Sequence, residues 1–173
     1  MEISKYHDFA IKTGKKAGRI LLEHFQRKIQ TNYKGGNKKN LVTEVDYMSE
    51  KLIVSAIKKE FPDHCVLSEE GGDCGIKSSQ YRWILDPLDG TTNYAHGYPF
   101  YAVSIALAKN DDLLTGVIYA PGLEKMFHCA KGKGAYLNNK KLKVSATKKV
   151  ETALLSTGFN IYEKGRNLPI FEH

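Results

Sequence analysis

With 173 residues, 42% hydrophobic and 26% charged, the chain holds enough apolar material for one well-buried domain, or one domain plus part of another, and too much for a disordered segment. Its formal charge of +7 comes from 26 Lys and Arg against 19 Asp and Glu, but the cations are spread over KTGKK, KGGNKK, KGKG, NKKLK and TKK, the pattern of a solvated surface rather than of a nucleic-acid tract. Cys65, Cys74 and Cys129 have no C-x-x-C spacing, which speaks against a disulfide framework or a zinc cluster, and the charge-broken N-terminus speaks against a secretory leader or a membrane span, so we expect a cytoplasmic protein.

In chain order, Ile3, Tyr6, Ala10, Ala17, Ile20, Leu21 and Phe25 recur near a helical period and predict an amphipathic helix over 3–25, with Gly14, Ala17 and Gly18 as a close-packing face. IQTNYKGGNKKNLVTEVD predicts two short strands about a Gly-Gly turn. Met48, Leu52, Ile53, Ala56 and Ile57 predict a second helix from Tyr47 to Glu60, stopped by Pro62. Short apolar runs then follow one another: CVLSEE, YRWILD, YAVSIALAK, LLTGVIYAP, KMFHCA, GAYLN, LKVSAT and TALLSTGF. They predict a sheet, with KGKGAYLNN forming a hairpin. VSIALA and GVIYA are apolar at consecutive positions, which predicts burial on both faces. The fold class is α+β, a mostly antiparallel sheet flanked by two N-terminal helices. NLPIFEH reads as a loop entering a helix that the chain does not complete.

Carboxylates gather at the ends of these elements: Asp46 after LVTEV, Glu69 and Glu70 after CVLS, Asp86 and Asp89 after RWIL. Taken singly, Asp46 is a helix N-cap, Glu69-Glu70 an exposed turn before Gly71-Gly72, and Asp86-Pro87 a simple turn. Taken together they form an all-oxygen set that suits a hard cation, Mg2+ above all. Gly90, Thr91 and Thr92 open a short helix and offer N–H groups and hydroxyls to a phosphate. Metal-assisted hydrolysis of a phosphate ester is the chemistry these residues predict. No nucleotide phosphate loop, G-x-G-x-x-G, H-E-x-x-H or G-x-S-x-G motif competes with it. His96 reads as a packing residue and Ser68 as structural. From another class, a basic nucleic-acid-binding or assembly module without catalysis is the alternative.

WILDPLDGTTNYAH, at 83–96, resembles the first signature of the inositol monophosphatase family, within the Mg2+-dependent, lithium-sensitive phosphatases that include fructose-1,6-bisphosphatases. LVTEVD at 41–46, LSEEGG at 67–72, YPFYAVSIALA at 98–108 and KGKGAYLNNKKLKVS at 131–145 follow in that family's order. The resemblance implies a layered sandwich, with an N-terminal α+β domain over 1–150 carrying the metal and phosphate site and the start of an incomplete C-terminal α/β domain at 151–173. It implies Mg2+ as cofactor and an inositol phosphate monoester as substrate, with fructose-1,6-bisphosphatase or dual-specificity activity as the alternative.

By the same resemblance, Glu69, Asp86 and the Leu88 carbonyl hold a first metal, and Asp86 and Asp89 a second. Asp46 and Thr91 orient and deprotonate the attacking water, Glu69 also reaches a third metal through water, and Asp89, Gly90, Thr91 and Thr92 face the substrate. A small-molecule phosphate ester is the expected partner, with no nucleic acid and no membrane, and a homodimer is left open. Three departures stand out. Asn40 replaces an Asp, the Lys34 loop is longer by one residue, and the second signature, a Trp-Asp pair, is missing, because Trp83 is the sole tryptophan. The resemblance therefore implies an N-terminal portion of a longer enzyme, weakly active or inactive alone.

Overall fold

A computed structural model of the chain describes residues 2–27, 31–33, 41–74, 76, 78–110 and 112–156. Helix α1 runs over Glu2–His24 and α2 over Glu44–Glu60. Strands β1 (Thr31–Tyr33) and β2 (Leu41–Thr43) pair antiparallel, as the turn composition predicts. The loop between them, with Lys34 and Asn40, and the segment NLPIFEH lie outside the described residues.

Helix α2 begins three residues earlier than its apolar period suggests, because Thr43 caps it. The Thr43 hydroxyl accepts from the Val45 N–H at 3.2 Å, and the Asp46 carboxylate accepts from the Thr43 N–H at 2.8 Å. This is a capping box, so Asp46 is the third residue of the helix and not its N-cap. At the other end the Phe61 N–H still bonds the Ile57 carbonyl at 2.7 Å, and Pro62 follows.

The main sheet has eight strands: β3 (Cys65–Ser68), β4 (Gly72–Cys74), β5 (Tyr81–Asp89), β6 (Ala102–Lys109), β7 (Asp112–Ala120), β8 (Lys125–Ala130), β9 (Gly134–Leu137) and β10 (Lys140–Lys141). Their spatial order is β10-β9-β8-β7-β6-β5-β3-β4. The β3–β5 pairing is parallel and the other pairings of this sheet are antiparallel. The hairpin expected around KGKG joins β8 to β9. Strand β4 has no counterpart among the expected runs, since a short edge strand that opens on a glycine carries no apolar period.

Both long helices cover one face of the sheet, with α1 against β6 and β7 and α2 against β5. The core between them contains Leu21, Ile53, Ile57, Trp83, Ile105, Leu107 and Val117. The buried Trp83 ring meets Phe9 and Phe61, and its Nε1–H donates to His64 Nδ1 at 3.1 Å. The two-faced burial expected for VSIALA and GVIYA does not occur in this first unit. Val103, Ile105, Leu107 and Val117 are buried on the helix side, whereas Ile118 on the opposite side is 49% exposed. Consecutive apolar residues thus mark a strand without fixing how many of its faces are covered.

Among the described residues, the last two expected runs form no strand either. Only Lys140 and Lys141 of that region enter the sheet, and Val144 is 97% exposed. A run of alternating polarity becomes a strand only where a neighbouring edge offers it hydrogen bonds. TALLSTGF begins in a 3-10 turn, Val150–Thr152, and Leu154 is fully exposed. The chain divides into two compact units, Met1–Leu142 and Lys143–His173.

The small-residue face of α1 makes the helix–sheet contact testable. A Cβ on Gly18 would stand 2.5 Å from the Tyr119 ring, whereas one on Gly14 would meet Val117 at an ordinary 3.5 Å. Overpacking costs about 1–3 kcal/mol, more than the roughly 0.8–1 kcal/mol that Ala gains over Gly inside a helix. Gly18→Ala is therefore expected to lower the urea midpoint and Gly14→Ala to hold or raise it; the reverse order would place α1 wrongly on β7.

Candidate active site

The register of β5 against β6 explains how two aspartates three apart come to work together. In a regular strand, residues i and i+3 point to opposite faces. Here Asp86 pairs with Ser104 and Asp89 with Ala102, so three steps on β5 match two on β6. The extra residue is a β-bulge, and it restores the phase. Before it Arg82 and Ile84 are exposed while Trp83 and Leu85 are buried; after it Leu88 is buried and Asp89 exposed. Asp86 and Asp89 consequently lie on the same face.

Glu69 joins them through the parallel pairing. Ser68 pairs with Leu85, and the Glu69 N–H donates to the Leu85 carbonyl at 3.2 Å. Parallel strands advance in step, so the next residues, Glu69 and Asp86, fall side by side at the strand ends. Burial pushes the Asp86 carboxyl up to about 7, with the charges of Glu69 and Asp89 and a hydrogen bond that protonated Asp86 donates to Glu69 adding to it. The Leu88 N–H, donating to Asp86 Oδ1 at 3.2 Å, works in the other direction.

Among the described residues no three His, Cys, Asp or Glu side chains form a ready-made metal-holding group. Glu69 and Asp86 face each other instead, and an Asp86 that keeps its proton can donate it to Glu69. The fit to a hard cation comes from that same electrostatics. Asp86 resists ionisation because it is buried and two further carboxylates face it, and the oxygens of Glu69, Asp86, Asp89 and the Leu88 carbonyl are the donor type that Mg2+ selects.

Gly90 turns the chain out of β5 into the five-residue helix α3, Thr91–Ala95. Its φ of +89° is left-handed, and a Cβ there would stand 2.9 Å from the Phe100 carbonyl oxygen, so glycine is required twice over. The N–H groups of the first turn, at Thr91 and Thr92, have no partner within such a helix. Tyr94 anchors α3 by donating its hydroxyl to the Leu21 carbonyl of α1 at 2.7 Å.

Thr91 also reaches α2. Its hydroxyl lies 3.1 Å from Asp46 Oδ1 and 3.0 Å from the Leu88 carbonyl oxygen, and donates to either. The other Asp46 oxygen accepts from the Thr43 N–H and, at 2.6 Å, from the Thr43 hydroxyl. Burial raises the Asp46 carboxyl while these Thr43 and Thr91 bonds oppose it. The buried Ser49, one turn along α2, donates its hydroxyl to the Pro87 carbonyl at 2.8 Å. Neither Thr43 nor Ser49 is among the residues expected from sequence; the three-residue step from Asp46 to Ser49 on one helix face was the available signal.

The remaining expectations fall as follows. His96 bonds the Thr92 carbonyl at 2.7 Å at the surface, a local cap. Ser68 is buried beside Glu69, and its hydroxyl has no hydrogen-bond partner among the described residues. Cys129 is a free, exposed thiol. A groove of about 420 Å3 adjoins Asp89 and Gly90, walled by Phe100, Ile118, Leu123 and Phe127 with Lys125 at its side. Among the described residues no helix is long and apolar enough to cross a membrane.

The raised Asp86 carboxyl has a consequence for stability. The folded chain keeps that proton up to about pH 7, whereas the unfolded chain releases it near 3.8, the ordinary aspartate value. Folding free energy from this group is therefore present at low pH and lost as pH rises through about 7. In EDTA, the urea midpoint is expected to fall more between pH 5 and pH 8 for the native chain than for Asp86→Asn. Identical pH dependence would mean that Asp86 ionises freely.

Comparison with known proteins agrees with this geometry. The model of the inositol monophosphatase family matches residues 2–166. The chain is 40% identical over 159 residues to a Vibrio cholerae protein named Nus factor SuhB, covering 91% of this chain and 59% of that protein. It is 40% identical over 157 residues to a fructose-1,6-bisphosphatase/inositol-1-monophosphatase of Aquifex aeolicus, again 91% and 59% of the two chains. The crystal structure of the extragenic suppressor protein suhB from Bartonella henselae superposes with a TM-score of 0.76 at 37% identity, over 81% of this chain and 54% of that one. The chain thus spans 59% of the length of each of these two curated relatives, and it belongs to the inositol monophosphatase family.

Proposed function

We propose that the chain carries the metal and phosphate site of a Mg2+-dependent phosphatase acting on inositol monophosphates, in the cytoplasm. The observation that carries this reading is the β5 bulge, which sets Asp86 and Asp89 on one face beside Glu69. Glu69, Asp86, Asp89 and the Leu88 carbonyl would hold Mg2+. When bound, Mg2+ offsets the charge of the phosphate and lowers the pKa of water.

The chain's own residues do the rest. The N–H groups of Gly90 and Thr91, with Thr92 and Asp89 nearby, orient the ester. The attacking water donates its hydrogen bond to Thr91 Oγ1, whose own proton points to Asp46 Oδ1, 3.1 Å away. The water proton passes to Thr91 and the Thr91 proton to Asp46 as the water oxygen bonds to phosphorus. The ester P–O bond breaks, and the leaving oxygen takes a proton from solvent. Asp46 suits the receiving role because burial raises its affinity for a proton while Thr43 holds its other oxygen still. Glu69 would serve twice, as a ligand of the first metal and, through water, of a third. The division into a site-bearing domain over 1–150 and the start of a second domain at 151–173 is part of the same proposal.

Fructose 1,6-bisphosphate is the alternative substrate, supported by the name of the Aquifex aeolicus relative. A different role, as a Nus factor, is supported by the name of the Vibrio cholerae relative and by the net charge of +7. It would leave Asp89 without a task, and it predicts partner binding that weakens steeply with salt.

The deciding assay is phosphate release from inositol 1-phosphate and from fructose 1,6-bisphosphate, with Mg2+ or EDTA, by the native chain and by Asp89→Asn. We expect release to require Mg2+ and to drop by roughly 10- to 100-fold or more in Asp89→Asn. Release that persists in EDTA, or that Asp89→Asn leaves intact, would contradict the proposal.

A further inference from the structure

The bulge that aligns Asp86 and Asp89 removes one peptide unit, Pro87–Leu88, from the β5–β6 ladder. Proline supplies no N–H of its own, so the polar groups of this peptide are the Pro87 carbonyl and the Leu88 N–H. Each is held by a side chain. The Leu88 N–H donates to Asp86 Oδ1 at 3.2 Å, and the Pro87 carbonyl accepts from the Ser49 hydroxyl at 2.8 Å. Ser49 is fully buried, as is most of the Pro87–Leu88 segment.

A serine inside a helix ordinarily turns its hydroxyl back to the carbonyl four residues earlier. Ser49 reaches across to another element instead. Together with Asp46 it makes α2 grip the Asp86–Thr91 segment at two points, one helical turn apart. The peptide plane gripped by Ser49 at its carbonyl end is the same plane that orients Asp86 at its N–H end. Rotating that plane would turn the Asp86 carboxylate and release the phase shift that keeps Asp89 on its face.

We propose that Ser49 is a positioning residue for the divalent-cation site. Its hydroxyl fixes the Pro87–Leu88 peptide, and through it the Asp86 carboxylate and the bulge. This rests on the reading of Glu69, Asp86 and Asp89 as the cation's ligands. It adds a determinant on α2 that contacts neither metal nor substrate.

The test compares Ser49→Thr with Ser49→Val, which add the same bulk and differ in the hydroxyl. Two quantities are measured on the intact chain: Mg2+ affinity by calorimetry, and amide hydrogen exchange along β5 in EDTA. Ser49→Val is expected to bind Mg2+ roughly 10- to 100-fold more weakly than Ser49→Thr. Its exchange should quicken at Leu88 and Asp89 relative to Ile84 and Leu85. Equal affinities and equal exchange in the two variants would overturn the proposal, as would exchange that quickens uniformly along β5, the mark of a merely structural role. If Ser49→Val does not fold, Ser49→Ala removes the donor without added bulk and takes its place. If the native chain takes up no Mg2+, the metal reading of the site falls, and the exchange pattern alone decides whether Ser49 holds the bulge.

Discussion

One inserted residue in β5 is the constraint on which the site depends. Without it, Asp86 and Asp89 would face opposite sides of the sheet, and the pair would have no common partner. With it, three carboxylates crowd at the joint end of two parallel neighbours, and Asp86 responds by holding its proton to about pH 7. A packed, polar-satisfied scaffold is what keeps this repulsive set together. Folding alone would favour separating the charges; a divalent cation reverses the sign of their effect.

Helix α2 is the second half of the device. Its first turn serves the backbone, through the Thr43–Asp46 capping box, and the site, through the bond from Thr91 to Asp46. The Thr43 cap and the bond from Thr91 use different oxygens of one carboxylate, so neither displaces the other. The helix in turn rests on α1 and the aromatic cluster around Trp83, and α3 is tied to α1 through Tyr94. The core thereby transmits its rigidity to Asp46, Ser49 and Thr91 rather than merely supporting them.

Much of this was legible in the residues. The periodicity of Tyr6, Ala10, Ala17 and Leu21 marked α1, and Gly14, Ala17 and Gly18 marked the face that meets β7, because small residues at helical spacing have few other uses. Asp86, Asp89 and the Gly90-Thr91-Thr92 turn stood out because acids at strand ends are costly without a counter-charge. What stayed hidden depends on contacts distant in sequence. The capping box moved the start of α2 because Thr43 and Asp46 act as a pair, which an apolar period cannot register. The exposure of Ile118, Val144 and Leu154 depends on what packs against them, which an apolar run does not encode. Ser49 was placed near the site by its three-residue step from Asp46, but its role could not be read until its partner, Pro87, was known.

The proposed Mg2+ site implies that the cation displaces the proton Asp86 holds up to about pH 7. Calorimetric titration of Mg2+ into the metal-free chain, in buffers of different ionisation enthalpy at pH 6 and pH 8.5, counts the protons displaced. The account predicts release of close to one proton per Mg2+ at pH 6 and almost none at pH 8.5, with affinity rising toward tenfold per pH unit below about 7. Mg2+ uptake of equal strength at both values without proton release, or no uptake at either, would contradict it.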